Sequence, residues 1–596
     1  MQKTIDRRAM PRGTKRIAKD RGNAARNLRR RFDRLQLSLP VPIKRIQHDA
    51  AGDISETHWV PPSEWLRVLG RKFPHCIFGD CGDVGSQLKA FWAMYRGYNP
   101  SHPVFTDHAT HLDCTIPIQL FGDEGRGQKR GNFLLWSFAS AIGLFDLAED
   151  WSCDCRDQLR CKPPIQLDGV QLAQPQPDET DLQRAAMHMS NYKGHSYVTR
   201  HMVFGLPHWC YKSHPWVVDK HMVLLSADLG QCFRQGIDIN GKQFFAAVIG
   251  SKGDMKHQME FGNLTRSYHT FARGKQQTAY MCSLCYAGAR GVPFEDTQDE
   301  PTWATTLYAA RPWNSTPNIL LHLPHNRNEA EEFFQLDTFH LVKVGLGRDL
   351  CGSGILVLAR LGLYDWEGCT SKTLSDRLQR AHQSFSLWCA GCKCKPGLRS
   401  FTKQFLNIQS KKSFAWMNTK GSDTMMVIRY LKWFAGIELI APSTKKAEEN
   451  QKILRLLKHT TDNLLQAFSI IHGHGLWLDR PCGKLLYTCF MVTLRGYKSL
   501  AKHALQLQLC GFAFKPKFHG LHHVAYKLRL DLLAGNQRVL NPVCWMCEQD
   551  EDKVGKISRL SRRISVRNQT SQILYRYMLK KKSCLARSKE ECKHRK

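Results

Sequence analysis

Apolar and polar positions follow two different rhythms along this chain. Between Phe105 and Leu144 the chain changes character: TIPIQLFGDEG is a β-branched and apolar run that ends in a Gly-Asp turn. FLLWSFASAIGL follows it, and the pair predicts one strand and then a second that runs into a helix. A similar strand is predicted from Phe244 to Ile249 in KQFFAAVIGSKGDMKH; it stops at Gly250 and leads through Gly253 to Asp254. Two predicted strands thus deliver Asp123 and Asp254 at glycine-marked exits. From about Thr373 to Leu540 the pattern is mainly helical, most clearly after Pro442 and Ser443, where Ile453, Leu457, Leu464, Phe468 and Ile471 fall on one helix face. From Asp550 to Lys582 the chain begins acidic and turns basic, with Val554, Ile557, Leu560 and Ile564 at helical spacing. A helix with one apolar stripe and an arginine-rich flank is predicted there.

Composition adds a partner to this picture. A chain of 596 residues suggests two to four packed units with tails, and 42% hydrophobic residues can build real cores. The 86 Lys and Arg against 52 Asp and Glu leave a formal net charge of +34. Such an excess repels itself unless a polyanion relieves it, so DNA is the expected partner. Residues 1–45 are the most basic stretch, opposed only by Asp6, Asp20 and Asp33, and are expected as a disordered tail. Arg29, Arg30 and Arg31 suit a nuclear localisation signal, and a nuclear location is expected. No apolar run is long enough to span a membrane, and the opening residues are charged, so neither membrane spanning nor secretion is expected. No Walker-type loop is present, which removes weight from ATP-driven functions.

Phosphoryl transfer on DNA without ATP commonly relies on two divalent ions held by carboxylates, one activating the nucleophile and one stabilising the leaving oxygen. Magnesium or manganese requires hard oxygen ligands gathered from distant, rigid segments. Asp123 and Asp254 on the two strands, and Glu551 at the start of EDKVGKISRLSRR, are the candidates, with Asp550 and Asp552 flanking the third. Lys556, Arg559, Arg562, Arg563 and Arg567 on the basic flank are the candidate DNA contacts.

Four segments carry a resemblance. LFGDEGRGQKRGNFLLWSF, GDMKH followed by MCSLCYAG, LDTFHLVKVGLGRDL, and PKFHGLHHV leading to Glu551 resemble, in order and placement, the transposase core of the CACTA (En/Spm) and Kyakuja-Dileera-Zisupton elements. The likeness covers roughly residues 100 to 580 and departs from the family where the turn reads GDE rather than GDG. It implies a DDE-type transposase on a ribonuclease-H-like mixed sheet interrupted by a large, mainly helical insertion. Asp123, Asp254 and Glu551 would bind the metals, Asp337 and His340 would match a Cys-or-Asp-x2-His signature, and the insertion would shape the groove for DNA ends. The mechanism implied is hydrolysis at a transposon end and then strand transfer into target DNA. By analogy a homo-oligomer is expected, since two ends must be paired. The alternative is a transposase-derived protein that binds nucleic acid without cutting it.

The 22 Cys suit reduced thiols and metal sites better than disulfides. Cys282 and Cys285 are half of a zinc site and need a second pair or two His nearby in space. Candidates are Cys389, Cys392 and Cys394, or Cys544 and Cys547, whereas the cluster from Cys153 to Cys161 is irregular and stays unassigned. His519, His522 and His523 are read as core or DNA-facing histidines, since no His-Glu-x2-His arrangement accompanies them. The organisation expected is a basic tail at 1–45, a helical, DNA-contacting region at 46–104 and the first part of the catalytic core at 105–372. A mainly helical insertion at 373–540, a catalytic helix region at 541–582 and a basic tail at 583–596 complete it.

Overall fold

A computed structural model describes residues 24–48, 54–79, 83–127, 131–143, 192, 194–268, 280–440, 448–565 and 568–594. The cluster from Cys153 to Cys161 and Arg567 lie outside them. Helix α1 (Ala24–Arg34) precedes a hairpin of β1 (Lys44–Gln47) and β2 (Glu56–Trp59), then helices α2 (Pro62–Lys72) and α3 (Val84–Tyr98). Strands β3 (Thr115–Arg126), β4 (Asn132–Ser140) and β5 (His201–Pro207) lead into α4 (Pro215–Arg234), β6 (Ile237–Ile239), β7 (Lys242–Lys252) and α5 (Met255–Phe261). The helical part comprises α6 (Phe339–Leu346), α7 (Gly347–Arg360), α8 (Leu374–Gly391), α9 (Gly421–Ile440) and α10 (Glu448–Gly473). After it come β8 (Trp477–Asp479), α11 (Arg480–Gln506), α12 (Pro516–Leu533), β9 (Arg538–Leu540), α13 (Glu548–Ser561) and α14 (Gln569–His594).

The chain is a mixed α/β protein built on a five-stranded sheet of order β5-β4-β3-β7-β6. Strands β3, β4 and β5 form an antiparallel meander; β7 lies parallel to β3, and β6 pairs antiparallel with β7 at the edge. A parallel neighbour needs a crossover, and α4 lies on the connection that supplies it. Strand β3 is buried without a break from Thr115 to Asp123. Burial on both faces explains why its sequence is a continuous apolar run and not an alternating one. Phe121 stands opposite Lys252 in the parallel register, so Asp123 and Asp254, each two residues on, leave the same end of adjoining strands.

Two apolar cores divide the molecule. The first covers the sheet: Trp65, Phe91, Trp92 and Tyr95 from α2 and α3 meet Ile116, Leu120 and Phe204, and Ile573 and Tyr577 of α14 close it. The Trp92 indole donates to the Thr115 carbonyl (2.7 Å) and that of Trp65 to the Met202 carbonyl (2.8 Å), which satisfies both polar tips in the core. Region 46–104, expected as helical and DNA-contacting, therefore contains a hairpin as well as helices, and its largest side chains serve the core. The expected disordered tail at 1–45 is likewise corrected in part, because α1 and the first half of β1 fall within it. In the second core the five stripe residues of α10 are all buried with Leu350, Leu356 and Leu358 of α7. The helical unit begins near Leu341 rather than at 373. Its entry is masked in the sequence because α7 carries Gly347, Gly352 and Gly354, and at the first two the backbone of neighbours approaches too closely for a side chain: a Cβ on Gly352 would lie 2.5 Å from Trp416 Cα. Among the described residues no helix is long and apolar enough to cross a membrane.

Where α13 and α14 meet the sheet, charge is buried unevenly. Asp550 pairs with Arg200 (2.9 Å) and Lys252 (2.9 Å), all three side chains about 1% exposed. Lys553 and Lys581 are buried nearby and form no ion pair among the described residues, and Lys581 donates to the carbonyls of Tyr197, Val198 and Arg200. Burial pulls the Lys581 amine down to about 7. A lysine whose folded pKa lies below its unfolded value near 10.4 binds fewer protons when folded, so its contribution to stability grows as pH rises between those values. The thermal midpoint of Lys581→Met is expected to rise less from pH 7 to 9 than that of the parent; parallel curves would mean that Lys581 stays charged.

Candidate active site and metal centre

The alternation of side chains along β3 sorts its two acids to opposite faces. Asp123 shares a face with Gly125, against which α13 packs so closely that a Cβ would lie 2.0 Å from Ser558 Oγ and 2.8 Å from Val554 Cγ1. Glu124 points the other way and is fully employed there: it accepts from Tyr211 Oη (2.8 Å), Asn132 Nδ2 (2.9 Å) and Lys256 Nζ (2.8 Å). Although burial opposes it, these donors hold its carboxyl down at about 2. The glutamate that departs from the GDG pattern thus braces the strand end against α5 and the short helical segment His208–Lys212 before α4.

Asp254 is the N-cap of α5, accepting from the His257 amide at 2.6 Å, and this fixes where the second strand's acid stands. Two glycines allow the approach. A Cβ on Gly253 would lie 3.0 Å from the Gly122 carbonyl oxygen, and one on Gly122 would collide with the His257 ring at 2.2 Å.

The third acid is chosen from three by the turn of α13. Asp550 is locked in the buried pair with Arg200 and Lys252. Asp552 faces outward to Lys556 Nζ (2.5 Å) and Ser196 Oγ (2.6 Å). Glu551 alone faces Asp123, close enough for each carboxyl to act on the other. Burial first, and then Asp254, push the Asp123 carboxyl up to about 7; burial and Asp123 push Glu551 well above the carboxylate range. Acids that repel one another in a buried cleft form a site that hard divalent cations would relieve.

Asp337 and His340 join this cluster. Asp337, wholly buried, accepts from the amides of Phe339 (2.7 Å) and Cys547 (3.3 Å) and from His340 Nδ1 (2.6 Å). The histidine's other nitrogen, Nε2, lies 3.5 Å from Glu551 Oε1. Asp337 thereby holds the ring with one edge toward the third acid, the arrangement by which a carboxylate orients an imidazole at a metal site.

A second group of ligands sits in the helical core. Cys282 Sγ is 3.3 Å from His523 Nε2, Cys285 Sγ is 3.3 Å from His519 Nε2 and 3.4 Å from His523 Nε2, and the two imidazole nitrogens are 3.0 Å apart. All four residues are buried. Zinc–sulfur bonds of about 2.3 Å and zinc–nitrogen bonds of about 2.0 Å place tetrahedral ligands roughly 3.3–3.8 Å apart, so the set fits zinc. Burial alone would raise the Cys282 thiol, yet hydrogen bonding to Cys285 and the nearby His523 hold it well below its ordinary range. The pair that faces the two thiols is therefore His-x3-His on α12, not the cysteines near 390 or 545; His519 and His523 are core residues, as read, that also complete a set able to hold a metal. Cys544 instead contacts Gln119 Nε2 at 2.9 Å under the sheet, and Cys547 caps α13. His522, one residue out of phase, turns to the Trp303 ring. Among the described residues only this set and the trio Asp337, His340 and Cys547 bring three or more such ligand atoms within 4.8 Å of one another; the trio of Asp123, Asp254 and Glu551 is more open.

Of the expected DNA contacts, Arg559, Arg562 and Arg563 are exposed, and Arg562 Nε donates to the Arg126 carbonyl (3.1 Å). Lys556 is committed within the protein, to Asp552, Ser196 and His195. No protein-family model matches the chain, and no curated protein matches its sequence.

Proposed function

We propose that this chain is a DDE-type DNA transposase: a metal-dependent phosphoryltransferase that cuts DNA at transposon ends and joins the freed end to target DNA. The observation that carries the reading is the convergence of Asp123, Asp254 and Glu551, from three distant segments, at one end of two adjoining parallel strands. A ribonuclease-H-like identity of the core is part of the proposal. The antiparallel meander followed by a crossover to a strand parallel to the first supports it, while the edge strand β6 departs from that plan by preceding β7.

Divalent magnesium or manganese, when bound, would lower the pKa of a nucleophilic water and offset charge on the leaving oxygen. Asp123 and Asp254 would hold both ions and Glu551 would complete the second site. In the first step a water oxygen bonds to phosphorus and the bond to the 3′ oxygen breaks, leaving a 3′-hydroxyl and a 5′-phosphate. In the second, that hydroxyl attacks a target phosphodiester and displaces its 3′ oxygen. His340, steered by Asp337, keeps Glu551 turned inward. Zinc at Cys282, Cys285, His519 and His523 would tie the loop after α5 to α12. Work in the nucleus and as a homo-oligomer belongs to the same proposal.

The test is cleavage of labelled duplexes and candidate transposon ends by the purified full chain. Nicking with magnesium or manganese, abolished by EDTA and lost in Asp254→Ala, is expected. A chain that binds the duplexes and never cuts them would instead leave a DNA-binding protein that has lost the chemistry.

A further inference from the structure

A cavity opens where the two apolar cores meet. Tyr98 at the end of α3, Phe334 and Trp545 reach it from the first core, and Leu284 and Leu528 from the second. Counting the open space at its mouth, it encloses about 740 Å³, the size of a site for a small organic molecule. Tyr308 and Tyr526 add aromatic wall, and none of the lining residues belongs to the carboxylate cluster.

The polar groups within this lining are unbalanced. Asp531 on α12 is 4% exposed, and its carboxylate makes no hydrogen bond among the described residues. Lys527, one helical turn back, does not satisfy it. The ammonium donates to the Tyr98 carbonyl at 3.1 Å and sits 4.5 Å over the Tyr98 ring, which leaves 4.0 Å to Asp531 Oδ1. Glu332 also lines the cavity and accepts a hydrogen bond from the Tyr308 hydroxyl. Two carboxylates thus stand against one ammonium. Burial pushes the Asp531 carboxyl up to about 7, with Lys527 opposing the shift and Glu332 adding to it.

An anion would be repelled here, and a neutral apolar molecule would leave Asp531 buried and unsatisfied. Among the described residues neither acid belongs to a group of three ligand atoms close enough to hold a metal ion. A cationic nitrogen on an apolar body meets every wall. Its N–H groups donate to the free carboxylate, and its charge lies against aromatic faces, as the Lys527 ammonium already does on Tyr98. We propose that this cavity binds an organic cation, an amidinium or guanidinium, held by Asp531 with Glu332 as the second acceptor.

The experiment is calorimetric titration of the full chain at about pH 8, where Asp531 is mostly ionised, with benzamidinium and with benzamide, its neutral isostere. Benzamidinium is expected to saturate one site and to bind roughly tenfold tighter than benzamide or more, because only the cation makes a charge-assisted hydrogen bond to the buried carboxylate. Asp531→Asn is expected to erase that preference and Glu332→Gln to reduce it, with thermal melts to show that both variants are folded. Should Asp531→Asn unfold, the two ligands on the parent and on Glu332→Gln carry the test. N-acetylarginine methylamide separates the sources of such a cation: tighter binding than benzamidinium assigns the cavity to an arginine of a polypeptide, and weaker binding to a free aromatic cation. Equal affinity for benzamidinium and benzamide overturns the proposal, as does a parent that binds neither cation or a folded Asp531→Asn that keeps the preference.

Discussion

Glu551→Gln is expected to lower DNA cleavage on the order of a thousandfold while leaving duplex binding close to that of the parent. The expectation follows from how α13 distributes three consecutive acids. Glu551 is the one that meets Asp123, and an amide in its place removes a hard anionic ligand without changing shape. Its neighbours supply the controls. Asp552→Asn loses an outward pair with Lys556 and keeps its cleavage rate within about twofold, since exposed ion pairs contribute about 0–1 kcal/mol. Asp550→Ala leaves Arg200 and Lys252 buried without their counter-ion and costs about 3–5 kcal/mol of stability, so any loss of cleavage comes with a lower melt. Single-turnover cleavage together with thermal melts separates the three outcomes. Equal cleavage by Glu551→Gln and the parent would remove the third acid from the proposal. The same cluster sets a pH dependence. The Asp123 carboxyl is raised to about 7, above its unfolded value near 3.9, so the stability it contributes without metal is full at low pH and lost as pH rises through about 7. Adding magnesium should therefore stabilise the parent most above pH 7, and Asp123→Asn should abolish that pH-dependent part.

Cys285→Ser is expected to release the zinc proposed for the thiol–imidazole set and to lower the thermal midpoint by many degrees, the largest stability effect expected of any single substitution here. Structural zinc contributes roughly 10–16 kcal/mol in small zinc-binding peptides, and a core that already buries α10, α11 and α12 will feel part of that. The four ligands join segments more than two hundred residues apart, as the 234-residue separation of Cys285 and His519 shows. Losing the metal therefore frees a long loop as well as four buried polar groups. Elemental analysis of the purified chain and a melt with and without a strong chelator check it. Zinc-free protein with an unchanged midpoint would show that the thiols and imidazoles are held by hydrogen bonds alone. His522→Ala serves as the control, because His522 points to Trp303 and outside the ligand set.

Local pattern determined much of this protein. The apolar runs that became β3 and β7, the glycines that end them at Asp123 and Asp254, and the stripe that buries α10 were legible because strand and helix periods are short-range properties. Charge pointed to a polyanion for the same reason, since net charge needs no geometry. What stayed hidden depended on which distant segments meet. Cys-x2-Cys near 282 and His-x3-His near 519 are each visible half-sites, but their pairing is set by the packing of α12 against a loop. The start of the helical unit near Leu341 was masked by α7, whose glycines serve close backbone contact and blur the apolar stripe. Asp550, Glu551 and Asp552 are equivalent as a string of letters. About 100° of helix rotation per residue sends one into a buried ion pair, one to solvent and one to Asp123, and only the docking of α13 against Gly125 decides which is which.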